Sequence, residues 1–173
     1  MDSHPHDEVS IVDYDPAWVA AFEEQRDAIV VALWPVLPPP QLVEHVGSTA
    51  VPGLAAKPIV DIMVAYEHLP AIEQIVAPLA AIGYEHVPKP EFTESHFFRR
   101  GEAIESTFHL HVTTSNSAFG RQMLHFRDAL RASPSLASDY AAFKRELADR
   151  FPHDRPSYTR AKEPFVIGVI TAG

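Results

Sequence analysis

The 173-residue chain has no cysteine, which excludes disulfides and thiolate metal centres and leaves stability to packing. A chain of this length buries a substantial core as one domain without such staples. No stretch approaches the roughly 18 to 20 apolar residues of a membrane span. The opening residues, MDSHPHDEVS, lack the apolar run of a secretory signal. These features point to a soluble cytoplasmic protein. Basic residues are scarce, with 14 Lys and Arg against 23 Asp and Glu for a net charge of -9. That balance argues against binding extended nucleic acid, which needs a cationic surface. A nucleotide or phosphorylated small molecule needs only a few local cations and stays open.

What is present is ordinary in bulk, with 46% hydrophobic and 21% charged residues, but rich in punctuation, with 16 prolines. Residues 1–10 read as a flexible tail, carrying His4 and His6, before a single domain over 11–173. Asp15-Pro16 suits the start of a helix in which Trp18, Phe22, Ile29 and Leu33 share a face, stopped by PVLPPP. A short strand follows over 41–46, then a Gly-Pro linker. Residues 59–65 form an apolar run of central-strand length. A helix over 69–82 ends at Gly83. YEHV, SHFFRR and STFHLHVT are β-type segments, the last two joined across GEAIE as a hairpin. After Ser117 three helical stretches follow, the third kinked or delayed by Pro164. The class is α+β, a mixed sheet with a helical C-terminal half.

Two features stand out against this background. The apolar run IVDIMV carries Asp61, a carboxylate that burial makes costly without a charged or metal partner. FHLHV places His109 and His111 on one face of a strand, about 6.6 to 6.8 Å apart. If the two strands are neighbours, Asp61, His109 and His111 cluster, and that donor set suits Zn²⁺ or Mn²⁺ better than a bare Mg²⁺ cage. The alternatives are outward-facing histidines and an Asp61 paired with Lys57, Arg99 or Arg100. Gly47-Ser48-Thr49 either presents backbone N–H groups and a hydroxyl to an anion or is simply a tight turn. It is not a Walker loop, and no G-x-S-x-G elbow argues for a serine hydrolase. Arg99 and Arg100 face opposite sides of their strand, as do Glu44 and His45.

The stretch VEHVGSTAVPGLAAKPIVDIMV, with FHLHV and then FRDAL, YAAFKRELA and SYTRAKEPFV, resembles the GrpB family over nearly the whole chain. Members occur alone and fused to dephospho-coenzyme A kinase, and the family is placed in the nucleotidyltransferase superfamily. That superfamily pairs a Gly-Ser turn with a strand bearing Asp-x-Asp. The resemblance therefore implies a nucleotidyltransferase-like fold, with Gly47-Ser48 facing phosphate and Asp61 as the first metal-binding carboxylate. Its chemistry would be phosphoryl-centred, with Mg²⁺ bridging carboxylates and a triphosphate. Met63 stands where the second acid belongs, and a thioether is a poor ligand for a hard cation. His109 and His111 fall where the superfamily often places a third carboxylate. Lys57, Arg99, Arg100, Lys144, Tyr158 and Lys162 are further candidates for ligand contact, with a surface ion pair or a solvated side chain as the alternative for each. Three functions are carried forward: a metal-dependent nucleotidyltransferase, a non-catalytic ligand-binding domain on the same fold, and a metal-dependent lyase or hydrolase using the His-x-His pair.

Overall fold

The computed structural model describes residues 8–101 and 107–172. His4, His6 and most of the GEAIE connection lie outside the described residues. The chain is anchored early: Val9 is buried beside Leu147 and Tyr158, and its amide donates to the Pro152 carbonyl at 2.9 Å. Helix α1 spans Ala17–Leu33, with the Asp15 carboxylate accepting from the Ala17 amide at 2.8 Å. Strand β1 (Leu42–Val46) leads through a single 3₁₀ turn, Ser48–Ala50, to β2 (Val60–Tyr66). Helix α2 (Ile72–Ala81) precedes β3 (Tyr84–His86), β4 (Ser95–Arg100) and β5 (Phe108–Thr114). Three helices close the chain: α3 (Ala118–Ala132), α4 (Pro134–Arg150) and α5 (Arg155–Thr171).

The sheet order is β1-β2-β5-β4-β3. Strands β2 and β5 run parallel and the other pairings are antiparallel. Successive side chains alternate between faces, so the register sorts the residues. Ile62, Val64, Leu110, Val112 and Phe98 point to one face, where they pack with Ile29 and Leu33 of α1 and Ile75 and Leu79 of α2. Asp61, Met63, His109 and His111 point to the other, beneath α3, α4 and α5. There the N-terminal turn of α3 sits on the strands: a side chain at Gly120 would meet Met63 Sδ at 3.4 Å.

One expectation, a late start of the last helix at Pro164, is corrected. Helix α5 begins at Arg155 and runs through Pro164 to Thr171 without interruption, neither delayed nor divided. Proline forfeits one amide donor, and Pro164 is exposed, so the loss falls on the solvent side of the helix.

Candidate functional site

The pairing of β2 with its two neighbours assembles the site. Across β1–β2, Val46 stands opposite Asp61, so the chain leaving β1 turns directly over that carboxylate. Gly47 makes the turn with φ 71°, and a Cβ there would lie 2.5 Å from Asp61 Oδ2. Only glycine accommodates both the backbone angle and the contact. Across β2–β5, Asp61 stands beside His109 and Met63 beside His111. His109 Nδ1 lies 3.2 Å from Asp61 Oδ1. Burial pushes the Asp61 carboxyl up, but the hydrogen bond from His109 and the electrostatic pull of the basic groups around it, Lys162 among them, outweigh it and hold the group below its ordinary range.

His111 is only 8% exposed, its ring tilted against Phe97 and Phe119 at 5.1 and 5.3 Å. Burial pushes it down to about 4, so it is neutral at pH 7. Its Nδ1 has no hydrogen-bond partner among the described residues. Thr49 turns away from the cleft. Its hydroxyl donates to the Ile59 carbonyl at 3.2 Å and so accepts from His45 Nε2 at 2.9 Å, which fixes the His45 tautomer. His45 stacks on Phe22 at 4.9 Å. Thr49 thus bolts the 3₁₀ turn to the strand rather than facing a ligand.

Beside Asp61 lies a cavity of about 250 Å³ whose walls include Ser48, Lys57, Lys144, Arg155, Tyr158 and Lys162. The Tyr140 hydroxyl engages the Ser48 side chain from α4. Lys57 and Lys162 place their ammonium groups 5.2 and 4.7 Å from the centre of the Tyr158 ring, and Lys144 lies 4.7 Å from that of Tyr140. Lys144 also donates to the Ala55 carbonyl at 2.5 Å. Four basic groups therefore face one carboxylate. Burial, then Arg155 and Lys162, push Lys57 down to about 7, against the pull of Asp61. Burial, then Lys162, Arg145 and Lys57, push Lys144 down to about 7 as well. Burial and Arg155 lower Lys162, while Asp61 opposes them. Each of the three lysines is destabilised as a cation, by burial first and by its basic neighbours second, the condition an incoming anion relieves.

The remaining sequence candidates stand elsewhere. Arg99 faces this side of the sheet but is engaged with Glu85 at 2.8 Å, at the edge of an adjoining cavity. Arg100 points to the opposite face, donating to Gln25 Oε1 at 2.5 Å and lying over Phe108. Two contributors escaped the sequence reading, Arg155 and Tyr140. Arg155 had a readable signal: residues 155, 158, 159 and 162 follow helical spacing, so Lys162 and Tyr158 share their face with it. Tyr140 had none, since its role depends on how α4 lies over the turn.

The donor set does not match a hard divalent cation. Among the described residues no group of three or more His, Asp or Glu side chains is arranged to hold a metal ion. Met63, at the position of the expected second acid, is 1% exposed and covered by α3. The three lysines and Arg155 add further positive charge around Asp61.

A family model described as GrpB protein matches residues 8–171. The chain belongs to the GrpB family. A UPF0157 protein of Pseudomonas aeruginosa is 39% identical over 95% of this chain and 67% of its own length. A dephospho-CoA kinase of Mycolicibacterium paratuberculosis is 32% identical over 91% of this chain, which spans only 44% of that protein. The crystal structure of the conserved protein GrpB from Enterococcus faecalis superposes with a TM-score of 0.85 at 32% identity, covering 94% of this chain and 96% of that one. The Cid1 poly(U) polymerase, solved with MgATP, superposes with a TM-score of 0.56 at 14% identity over 87% of this chain and 50% of its own. That likeness shows a nucleotidyltransferase-like α+β fold in this GrpB chain. Among the described residues, no helix is long and apolar enough to cross a membrane.

Proposed function

We propose that this GrpB protein binds a nucleotide or other phosphorylated small molecule in the cleft between β2 and the helices α4 and α5, holding it by its phosphates. The observation that carries the reading is the convergence of Lys57, Lys144, Lys162 and Arg155 beside Ser48, against Asp61 as the one acid of the cavity wall. In a chain of net charge -9, such a cluster costs folding energy and is explained by an anion that neutralises it. Lysine ammonium groups serve phosphate as point charges, and here they supply the neutralisation that a divalent ion gives elsewhere. Two comparisons support the ligand class: one relative, of which this chain spans 44%, is named dephospho-CoA kinase, and Cid1 was solved with MgATP.

Titration calorimetry with inorganic triphosphate and nucleoside triphosphates tests the reading. Binding persists in EDTA, and Lys162→Ala and Lys57→Ala each weaken it by roughly tenfold or more, as loss of a charge-assisted contact does. Affinities unchanged in both variants would contradict it.

Nucleotidyl transfer is a second reading on one observation, the packing of the Gly47 turn against Asp61. It requires pyrophosphate release from a nucleoside triphosphate and its loss in Asp61→Ala.

A further inference from the structure

A second cavity, of about 300 Å³, adjoins the lysine cleft along β4 and β5. Val87, Lys89, Phe92 and Phe97 line it, and His109 and Arg155 belong to the walls of both cavities. The two spaces thus share a boundary, and their volumes together reach the range of small-molecule sites. Their chemistry differs. The first is walled by ammonium groups and hydroxyls, the second by aromatic faces with cations at the edge.

Phe97 is the centre of the second wall. Its ring lies 5.1 Å from both His109 and His111, with Lys89 over it at 6.0 Å. Phe92 leans on Phe119 at 5.7 Å. Both Phe92 and Phe97 stay half-buried although they sit in an aromatic cluster. Behind them stands His111, with its unpartnered Nδ1. Half-open aromatic faces beside cations bind planar rings by stacking, whatever the ring's hydrogen-bonding edge.

We infer that this second compartment binds a planar aromatic or heterocyclic ring carried by the same ligand whose phosphates the lysines hold. The inference rests on the phosphate-binding reading and narrows it, from any phosphorylated molecule to a ring-bearing one. Phe97 and Phe92 are the ring-contacting residues, and Arg155 spans the junction between ring and phosphate.

The test compares ATP and UTP with inorganic triphosphate by calorimetry on wild type, Phe97→Leu and Phe92→Leu. At least one nucleotide binds wild type roughly tenfold or more tighter than triphosphate, the gain that base stacking on an aromatic side chain supplies. Phe97→Leu removes that advantage and leaves triphosphate affinity unchanged, which also reports that the variant is folded. Phe92→Leu reduces the advantage in the same direction. Nucleotides that bind no tighter than triphosphate, or an advantage that survives both substitutions, overturn the inference while the phosphate reading stands. Failure of triphosphate to bind wild type is the separate result that removes the phosphate reading and the ring site with it.

Discussion

The two faces of the five-stranded sheet are built on opposite terms. Against α1 and α2 the face is aliphatic and closed: Ile62, Val64, Leu110, Val112 and Phe98 are each 0% exposed. Its polar groups are matched locally, with Arg100 and Tyr84 both donating to Gln25. Against α3 to α5 the same strands present Asp61, His109 and His111, and the helices answer with Lys144, Arg155 and Lys162. Residues one apart in sequence, Asp61 and Ile62, thus belong to different economies of burial. The first face supplies stability; the second holds charges at a cost to it, which is where ligand binding belongs.

The sharpest way to break that division is by deletion on the closed face. Ile62→Ala leaves a cavity against α1 and should cost about 2–5 kcal/mol in urea unfolding, while triphosphate binding by the folded protein is retained. A change at the turn over the open face does the reverse. Gly47→Ala meets both the positive φ and Asp61 Oδ2; it should cost about 1–3 kcal/mol and also weaken triphosphate binding, read by calorimetry.

Protons sharpen the comparison further. Lys57 and Lys144 titrate near 7 when folded, against 10.5 in the unfolded chain. Between those values the unfolded state binds more protons, so stability rises with pH across that window. Urea titrations at pH 7 and pH 9 should find the protein more stable at pH 9, and Lys144→Met should reduce the difference. A phosphate ligand raises these lysine values again, so binding at pH 8 should take up protons.

Much of the scaffold was legible in the sequence because period-two and helical spacings are local. Asp61 within IVDIMV marked an interior strand, and the 109/111 spacing put both imidazoles on one face. What the sequence did not contain was the register of β2 against β5, which sets Asp61 beside His109 rather than His111. The Gly-Ser-Thr turn read either as an anion-facing unit or as a plain tight turn, and spacing could not show that Thr49 is spent on His45 and Ile59. Pro164 was read as a kink or a late start, yet α5 begins at Arg155, nine residues before it, because an exposed proline inside a helix removes only one hydrogen bond. Metal affinity was inferred from donor types, strand spacing and the family resemblance, none of which carries the charge around the donors. Apart from Lys57, the surrounding charge comes from α4 and α5, with Lys144, Arg155 and Lys162 more than 80 residues further along the chain, and only tertiary packing brings it to the site.

Asp61 decides between the two accounts of the cleft, because it plays opposite parts in them. If lysines hold the ligand's phosphates, Asp61 is the one repulsive group in the wall, and Asp61→Asn should tighten triphosphate binding measured in EDTA. If the carboxylate instead bridges a metal to the ligand, the same variant should lose binding, with magnesium restoring it only to the wild type. That second result would contradict the cationic cradle described here.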